Sequence, residues 1–465
     1  MAEPFFSYIS REVNIGNCPL GGKHPIRLQS MTNTDTMDTD ATVAQCIRIF
    51  EKGAHYVRIA TPNISSAQNL ENIKKKLVAS GFHQPLIADI HFNPEVALVA
   101  ARLIEKIRIN PGNYTDKNTG RLKSYTETEY QAELERIAER ISPLLSICKE
   151  YGTAIRIGTN HGSLSERIMS RYGDTPEGMV EASMEFLRIC MQWGFHNIVV
   201  SLKASNPAIM VKATRLLAIS MQDENMNFPL HLGVTEAGND KEARIKSAMG
   251  IASLLAYNIG DTIRVSLTED PEFEIPVAAE IANQFPKQSI SGFTSPLNNK
   301  IPAFFTSFEN FSSKETGGIG GSKPLTVIAS PFSIEKPYAF PDYIKPDMLY
   351  PFSPDGNKEI IQVCNAEDYP AIEDKTRIIP FFKTGSLTSS TPFPDELNLI
   401  EINPESNALN DINTILNGIP TAFILNCTDS LPNMQRFFIE LKNKFPFQPV
   451  ILKKQATGDN MDAVL

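Results

Sequence analysis

The chain has no uninterrupted apolar run approaching the roughly 20 residues of a membrane span, so the sequence offers no candidate spanning helix. It also has no basic surplus. With 44 Lys and Arg against 53 Asp and Glu, the formal charge of -9 argues against a general nucleic-acid binder, whose footprint is a basic face. A C-x-x-C pair is missing too. Cys18, Cys46, Cys148, Cys190, Cys364 and Cys427 lie far apart, which suits neither a disulfide framework nor a metal knuckle, and they read as reduced packing residues. The seven histidines fall at neither H-x-x-x-H nor HExxH spacing, so no dedicated metal site is expected. The N-terminus, MAEPFFSYISREVNIGN, lacks the charged-then-apolar layout of a signal peptide and the composition of a transit peptide. These absences point to the cytoplasm, with neither membrane nor nucleic acid as a partner.

What is present is alternation. Short β-rich runs occur at IRLQSM (26–31), YVRIA (56–60), PLIADIH (85–91) and KIRIN (106–110). Four more follow at TAIRIG (153–158), NIVVSLK (197–203), PLHLGV (229–234) and TIRVSL (262–267). Helical patterns separate them. DATVAQCIRIFEKG (40–53) stops on glycine, and TPEGMVEASMEFLRICMQWG (175–194) opens with Thr then Pro, a good N-cap and first helical residue. Eight strands with intervening helices predict an α/β protein whose first domain, residues 1–285, is a (β/α)8 TIM barrel. A doubly wound sheet is the alternative, but it wants fewer strands and a glycine-rich first turn.

Residues 286–323 are rich in Pro, Ser, Asn and Gly, and GGIGG (317–321) lacks the lysine of a phosphate loop, so this stretch reads as a linker. Strand patterns resume at PLTVIAS, DMLYPF, KEIIQVC, RIIPFFK, LNLIEINP, TAFILNC and QPVILK, with helices at NDINTILNGI and LPNMQRFFIELKNKF. Residues 324–465 are therefore expected to form a second α/β domain, an inserted one that reads as truncated, because the sequence stops just after one of its strands.

In a barrel strand, alternate side chains face the helices or the interior, and the helix-facing set must be apolar. In TAIRIG that set is Ile155 and Ile157, which turns Arg156 and Gly158 inward. By the same rule Arg58, Arg108 with Asn110, Arg264 with Ser266, and Ser201 with Lys203 point in, as do Asp89, His91 and His231. Five cations from five strands converge, and even with Asp89 and the nearby Glu236 as counter-charges the excess is about three, which calls for an anion; arginine's planar fork suits phosphate oxygens. The strands lead into the polar loops NPGNY, TNHGSL, KASNP, TEAGND and SLTEDP, where this fold builds its active sites. Gly112, Gly162 and Gly238 are simple turns or places where backbone amides approach phosphate. Glu236 is the acid/base candidate, with an ion-pair role as the equal alternative.

These motifs resemble a known family. GNxPLGGxxPIRLQSMTNTDT (16–36), VRIATPN, ADIHFNP, KIRINPGN, RIGTNHGSL, SLKASNP, HLGVTEAG and TIRVSLTEDP, in order through about 11–271, are similar to the 4-hydroxy-3-methylbut-2-enyl diphosphate synthases. The resemblance implies reductive ring opening of 2-C-methyl-D-erythritol 2,4-cyclodiphosphate in the non-mevalonate isoprenoid pathway. Ferredoxin or flavodoxin would supply two electrons through a [4Fe-4S] cluster. It assigns the diphosphate to Arg58, Arg108, Arg156, Lys203, Ser205, Arg264 and Ser266, and the hydroxyl side to Asp89 and Asn160. Glu236 takes a role in proton transfer. His231, turned inward by the strand alternation, is counted with the substrate-binding residues, while His91 and His231 each read as structural rather than catalytic. FTSFENFSSKETGGIGG resembles the start of the extra domain in the long, three-domain form, and a homodimer is a possible assembly.

The chain departs from the family at the cluster. The C-P-x-C-type motif and the three cysteines with a glutamate of the C-terminal iron-sulfur domain have no counterpart here. The expectation is a chain that binds substrate, holds no cluster and does not turn over by itself. Two other readings of the same residues are a pterin-type synthase handling a diphosphate ester and a non-catalytic anion-binding protein.

Overall fold

The computed structural model describes residues 8–90, 92–114 and 124–286, and from 313 to 453 the strands, the helix and some short connections. It divides into two compact units. In the first, the eight strands are β1 (Arg27–Met31), β2 (Tyr56–Ala60), β3 (Leu86–Asp89), β4 (Lys106–Ile109), β5 (Ala154–Asn160), β6 (Ile198–Lys203), β7 (His231–Leu232) and β8 (Thr262–Ile263). All are parallel, in the order β6-β5-β4-β3-β2-β1-β8-β7, and a parallel bridge between Val200 and Leu230 brings β6 to β7. This is the expected (β/α)8 barrel.

Its helices are α1 (Thr39–Glu51), α2 (Ile64–Ala79), α3 (Pro94–Ala100), α4 (Pro111–Tyr114) and α5 (Glu127–Tyr151), then α6 (Glu166–Tyr172), α7 (Pro176–Gln192), α8 (Pro207–Asp223), α9 (Asp240–Leu255) and α10 (Glu274–Gln284). Local chemistry sets their ends. Thr126 and Glu129 form a capping box at the start of α5, and Gly152, at φ 71, ends it in the left-handed conformation. Thr175 caps α7 and Pro176 follows it as the first helical residue, as the sequence predicts. Asn93 and Asn206 accept from the amides of Glu95 and Ala208, so α3 and α8 start directly behind the loops of β3 and β6.

The register confirms the alternation. Arg108 pairs with Arg156 across β4 and β5, and Ile107 and Ile109 pair with Ile155 and Ile157 on the opposite face. An N-terminal hairpin, bridged between Val13 and Leu20, packs Val13, Ile15 and Leu20 on Tyr56, Ile87, Ala154 and Val199 at the N-terminal ends of the strands. That end of the barrel is filled by apolar packing.

The second unit holds seven parallel strands: β9 (Ile328–Ala329), β10 (Met348–Leu349), β11 (Ile361–Asn365), β12 (Ile378–Lys383), β13 (Asn398–Ile402), β14 (Thr421–Asn426) and β15 (Val450–Lys453). Each falls within a predicted run except that β11 continues one residue past its own, and they lie side by side in chain order. One face carries Val363, Ile379, Phe381, Leu399, Ala422 and Ile424. The other packs Phe382, Ile400, Phe423 and Leu425 under α11 (Leu431–Lys444) through Met434, Phe437 and Leu441. The helix expected at NDINTILNGI, and most of the linker sequence, lie outside the described residues.

Candidate anion-binding site

Arg58, Arg108, Arg156 and Lys203 are all buried, Arg156 to 1% exposure, and Arg264 is partly buried beside them. Space for these long side chains comes from small inward neighbours. A Cβ on Gly158 would lie 2.6 Å from Arg108 Nε, and one on Gly233 would lie 3.2 Å from Lys203 Nζ. The strands hold the cations close. Burial first, then Arg58 and Arg108, push the Arg156 guanidinium down from its ordinary range, and burial, then Arg58 and Arg156, do the same to the Lys203 amine.

Compensation is sparse. Asp89 on β3 sits between two arginines, 3.3 Å from Arg108 Nη1 and 3.6 Å from Arg58 Nε. Arg108 also donates to the Gly158 carbonyl at 2.9 Å. Arg58 turns two donors to the Met31 thioether at 2.9 and 3.0 Å, a weak acceptor. Among the described residues Arg156 donates one hydrogen bond, to Ser201 Oγ at 3.2 Å, and its Nε has no partner.

The second counter-charge is not the one expected from the sequence. Glu236, counted there beside Asp89, is exposed on the β7–α9 loop at φ 50, and among the described residues no ion pair engages it. The carboxylate that enters the cluster is Glu274, at the start of α10. It accepts from Arg264 Nη2 and Nε at 2.9 and 3.0 Å and from Ser30 Oγ at 2.6 Å. Two carboxylates therefore face the five cations of the strands, and the surplus persists.

The remaining candidates sit around this ring. Asn160 ends β5 half-buried, in register with Lys203, and its carbonyl closes a turn by accepting from Ser163 at 3.1 Å. Ser205 is exposed on the β6–α8 loop, and Ser266 is half-buried just after β8. His231 is fully buried, its imidazole pushed well below its ordinary range by burial first and then by Lys203 and Arg156. His91 lies outside the described residues. The loop glycines do less than expected. The amide of Gly112 donates to Asn110 Oδ1 at 3.2 Å and that of Gly162 to Asp174 Oδ1 at 3.1 Å, so both are already engaged.

No group of three or more His, Cys, Asp or Glu arranged to hold a metal occurs among the described residues. Burial pushes the thiols of Cys46, Cys148 and Cys190 up to about 12, the reverse of what a thiolate ligand needs. The described residues do not fit an iron-sulfur cluster.

Fold and site together define a TIM barrel that gathers a surplus of buried cations inside its strands. Residues 10–279 match the family described as the GcpE TIM-barrel domain, and the chain belongs to that family. It is 59% identical over 282 residues to the 4-hydroxy-3-methylbut-2-en-1-yl diphosphate synthase (flavodoxin) of Bacteroides fragilis, covering 60% of this chain and 45% of that protein. The enzyme of the same name from Phocaeicola vulgatus is 51% identical over 375 residues, covering 78% and 60%. The ferredoxin, chloroplastic form from Oryza sativa subsp. japonica is 54% identical over 275 residues, covering 59% and 37%. The chain spans about half the length of these relatives. No helix among the described residues is long and apolar enough to cross a membrane.

Proposed function

We propose that this barrel is the substrate-binding part of a 4-hydroxy-3-methylbut-2-enyl diphosphate synthase. The enzyme would open 2-C-methyl-D-erythritol 2,4-cyclodiphosphate reductively, in the cytoplasm, with flavodoxin or ferredoxin as electron donor. The observation that carries this reading is the convergence of five strand cations on one end of a barrel with two carboxylates to answer them. Arg58, Arg108, Arg156, Lys203 and Arg264, with Ser205 and Ser266 at the rim, hold the diphosphate. Asp89 and Asn160 orient the hydroxyl side, and His231 lines the pocket below.

Glu236 is the proton-transfer candidate. A non-glycine residue at φ 50 on a mouth loop is a strained placement, and such strain concentrates at functional sites. The [4Fe-4S] cluster and the C-terminal domain that carries it enter this reading as partners of the described residues. Residues 1–285 are the substrate domain, 286–323 the linker and 324–465 the inserted domain. The inserted domain's strand faces are apolar where the first barrel is cationic, which supports a non-catalytic role for it.

Calorimetric titration of the chain with the cyclodiphosphate tests the proposal. Saturable binding that weakens as salt rises is the expected result. No binding at any ionic strength would overturn it.

A further inference from the structure

Below the ring of arginines lies a second inward layer that the reading above barely uses. Gln29 on β1, Lys106 on β4, His231 on β7 and Thr262 on β8 are all at 0% exposure. Gln29 Oε1 and Nε2, Lys106 Nζ, both ring nitrogens of His231 and Thr262 Oγ1 have no hydrogen-bond partner among the described residues. Buried polar atoms are nearly always paired, so orphans on four strands of one barrel form a built feature with a use. His231 and Thr262 are register partners, and Gln29 is the register partner of Tyr56. Lys106 Nζ lies 4.6 Å from the centroid of the Tyr56 ring, whose hydroxyl is turned away to the Cys18 carbonyl of the hairpin.

We infer that this layer is the proton store of the anion pocket, and that Lys106 takes up a proton when a diphosphate enters the arginine ring above it. The inference rests on the polyanion reading of that ring. Arginines keep their charge whether or not an anion is present, whereas a buried lysine is the side chain that sheds its proton. Without an anion, burial and then Arg156 and Arg58 drive the Lys106 amine well below its ordinary range. Beside it are the Tyr56 ring on β2 and Cys18 of the hairpin. His231 on β7 feels both Lys106 and Lys203 of β6. Asp89 and Arg108 lie further along β3 and β4, and Arg27 on β1 is the register partner of Thr262. Only Asp89 among them brings a fixed negative charge. A bound diphosphate, with two negative charges, offsets most of the ring's surplus of about three, and the weaker repulsion from above favours the ammonium form. Gln29 Oε1, Thr262 Oγ1 and the His231 ring then provide acceptors in the same layer for an ammonium that has donors alone.

The test is calorimetric titration of the whole chain with the cyclodiphosphate near pH 7.5, in two buffers of different ionisation enthalpy. That ligand suits the measurement, because each of its phosphorus atoms carries one ester and one anhydride linkage and a single strongly acidic oxygen, with no proton to exchange near neutrality. The buffer dependence of the heat counts the protons taken up. On the order of one is expected, with affinity falling up to about tenfold per pH unit on the alkaline side. Lys106→Met should abolish the uptake and flatten that slope. Absence of binding by the unaltered chain would defeat the polyanion reading itself. Binding without uptake, or uptake unchanged in Lys106→Met, would overturn this inference and leave that reading standing. Should the variant fail to fold, Cε-labelled lysine resonances of the unaltered chain decide the matter: one lysine must pass from neutral to charged on saturation, and none doing so overturns the inference.

Discussion

Replacing Arg156 by methionine should move stability and affinity in opposite directions. In the free barrel the guanidinium is 1% exposed, makes one hydrogen bond to Ser201 and leaves Nε without a partner. Among the described residues it has no ion pair, and after burial the charges that act on it most are Arg58 and Arg108. A buried polar group left unsatisfied costs about 1–3 kcal/mol, so removing it while keeping most of its volume should stabilise the free protein by about 1–2 kcal/mol. For a domain of this size that is a rise in Tm of about 2–8 °C, read by calorimetry in phosphate-free buffer. The same substitution removes charged hydrogen bonds to a bound diphosphate worth about 1.5–3 kcal/mol, which weakens binding roughly 10- to 150-fold by titration. A parallel loss of stability and affinity would refute the reasoning, because it would make Arg156 an ordinary structural ion-pair partner.

Other outcomes follow from the same geometry. Glu274→Gln removes the carboxylate that Arg264 and Ser30 share, and urea unfolding should report a loss of about 3 kcal/mol; an unchanged midpoint would mean that the pair is not formed. Gly158→Ala places a carbon 2.6 Å from Arg108 Nε, so binding should weaken several-fold while the unfolding midpoint moves little, and equal affinity would show that Arg108 has room to yield. His55 accepts the Leu28 amide at 3.0 Å, and burial, then Arg27, lowers it to about 4. Its folded value lies below the unfolded one, so the unfolded chain takes the proton first and stability falls as pH drops from about 6.5 towards 4. His55→Gln should make that acid limb shallower, and an unchanged limb would remove His55 as its source.

The barrel and its cation ring were legible because one rule, the period of two, governs every strand of the first unit. The Ile residues at 107, 109, 155 and 157 fixed the direction of Arg108 and Arg156 without any knowledge of the fold's closure. Glu274 was not legible. It lies on a helix after the last strand and reaches Ser30 across 244 positions, and no local pattern reports such a contact. Lys106 obeys the same parity as Arg108, yet a lysine opening a short strand reads as a solvated end, and only the hairpin beneath it makes the position dry. The sequence leaves the loop glycines open between simple turns and phosphate contacts, and in the structure the Gly112 and Gly162 amides donate to the Asn110 and Asp174 side chains.

The way the barrel closes also orders its assembly. β1 pairs with β8, Leu28 beside Ile263, while Ser10 bonds to Asp261 and the Tyr8 hydroxyl reaches the Phe228 carbonyl. These contacts join the start of the chain to segments more than 200 residues later, and such distant pairings form slowly. Arg264 joins Arg58, Arg108 and Arg156 only when the seam between β1 and β8 shuts, so their mutual repulsion is completed at this late step. A polyanion present during refolding screens that repulsion, so the ligand of the finished pocket is also expected to act as a folding catalyst for the barrel that binds it.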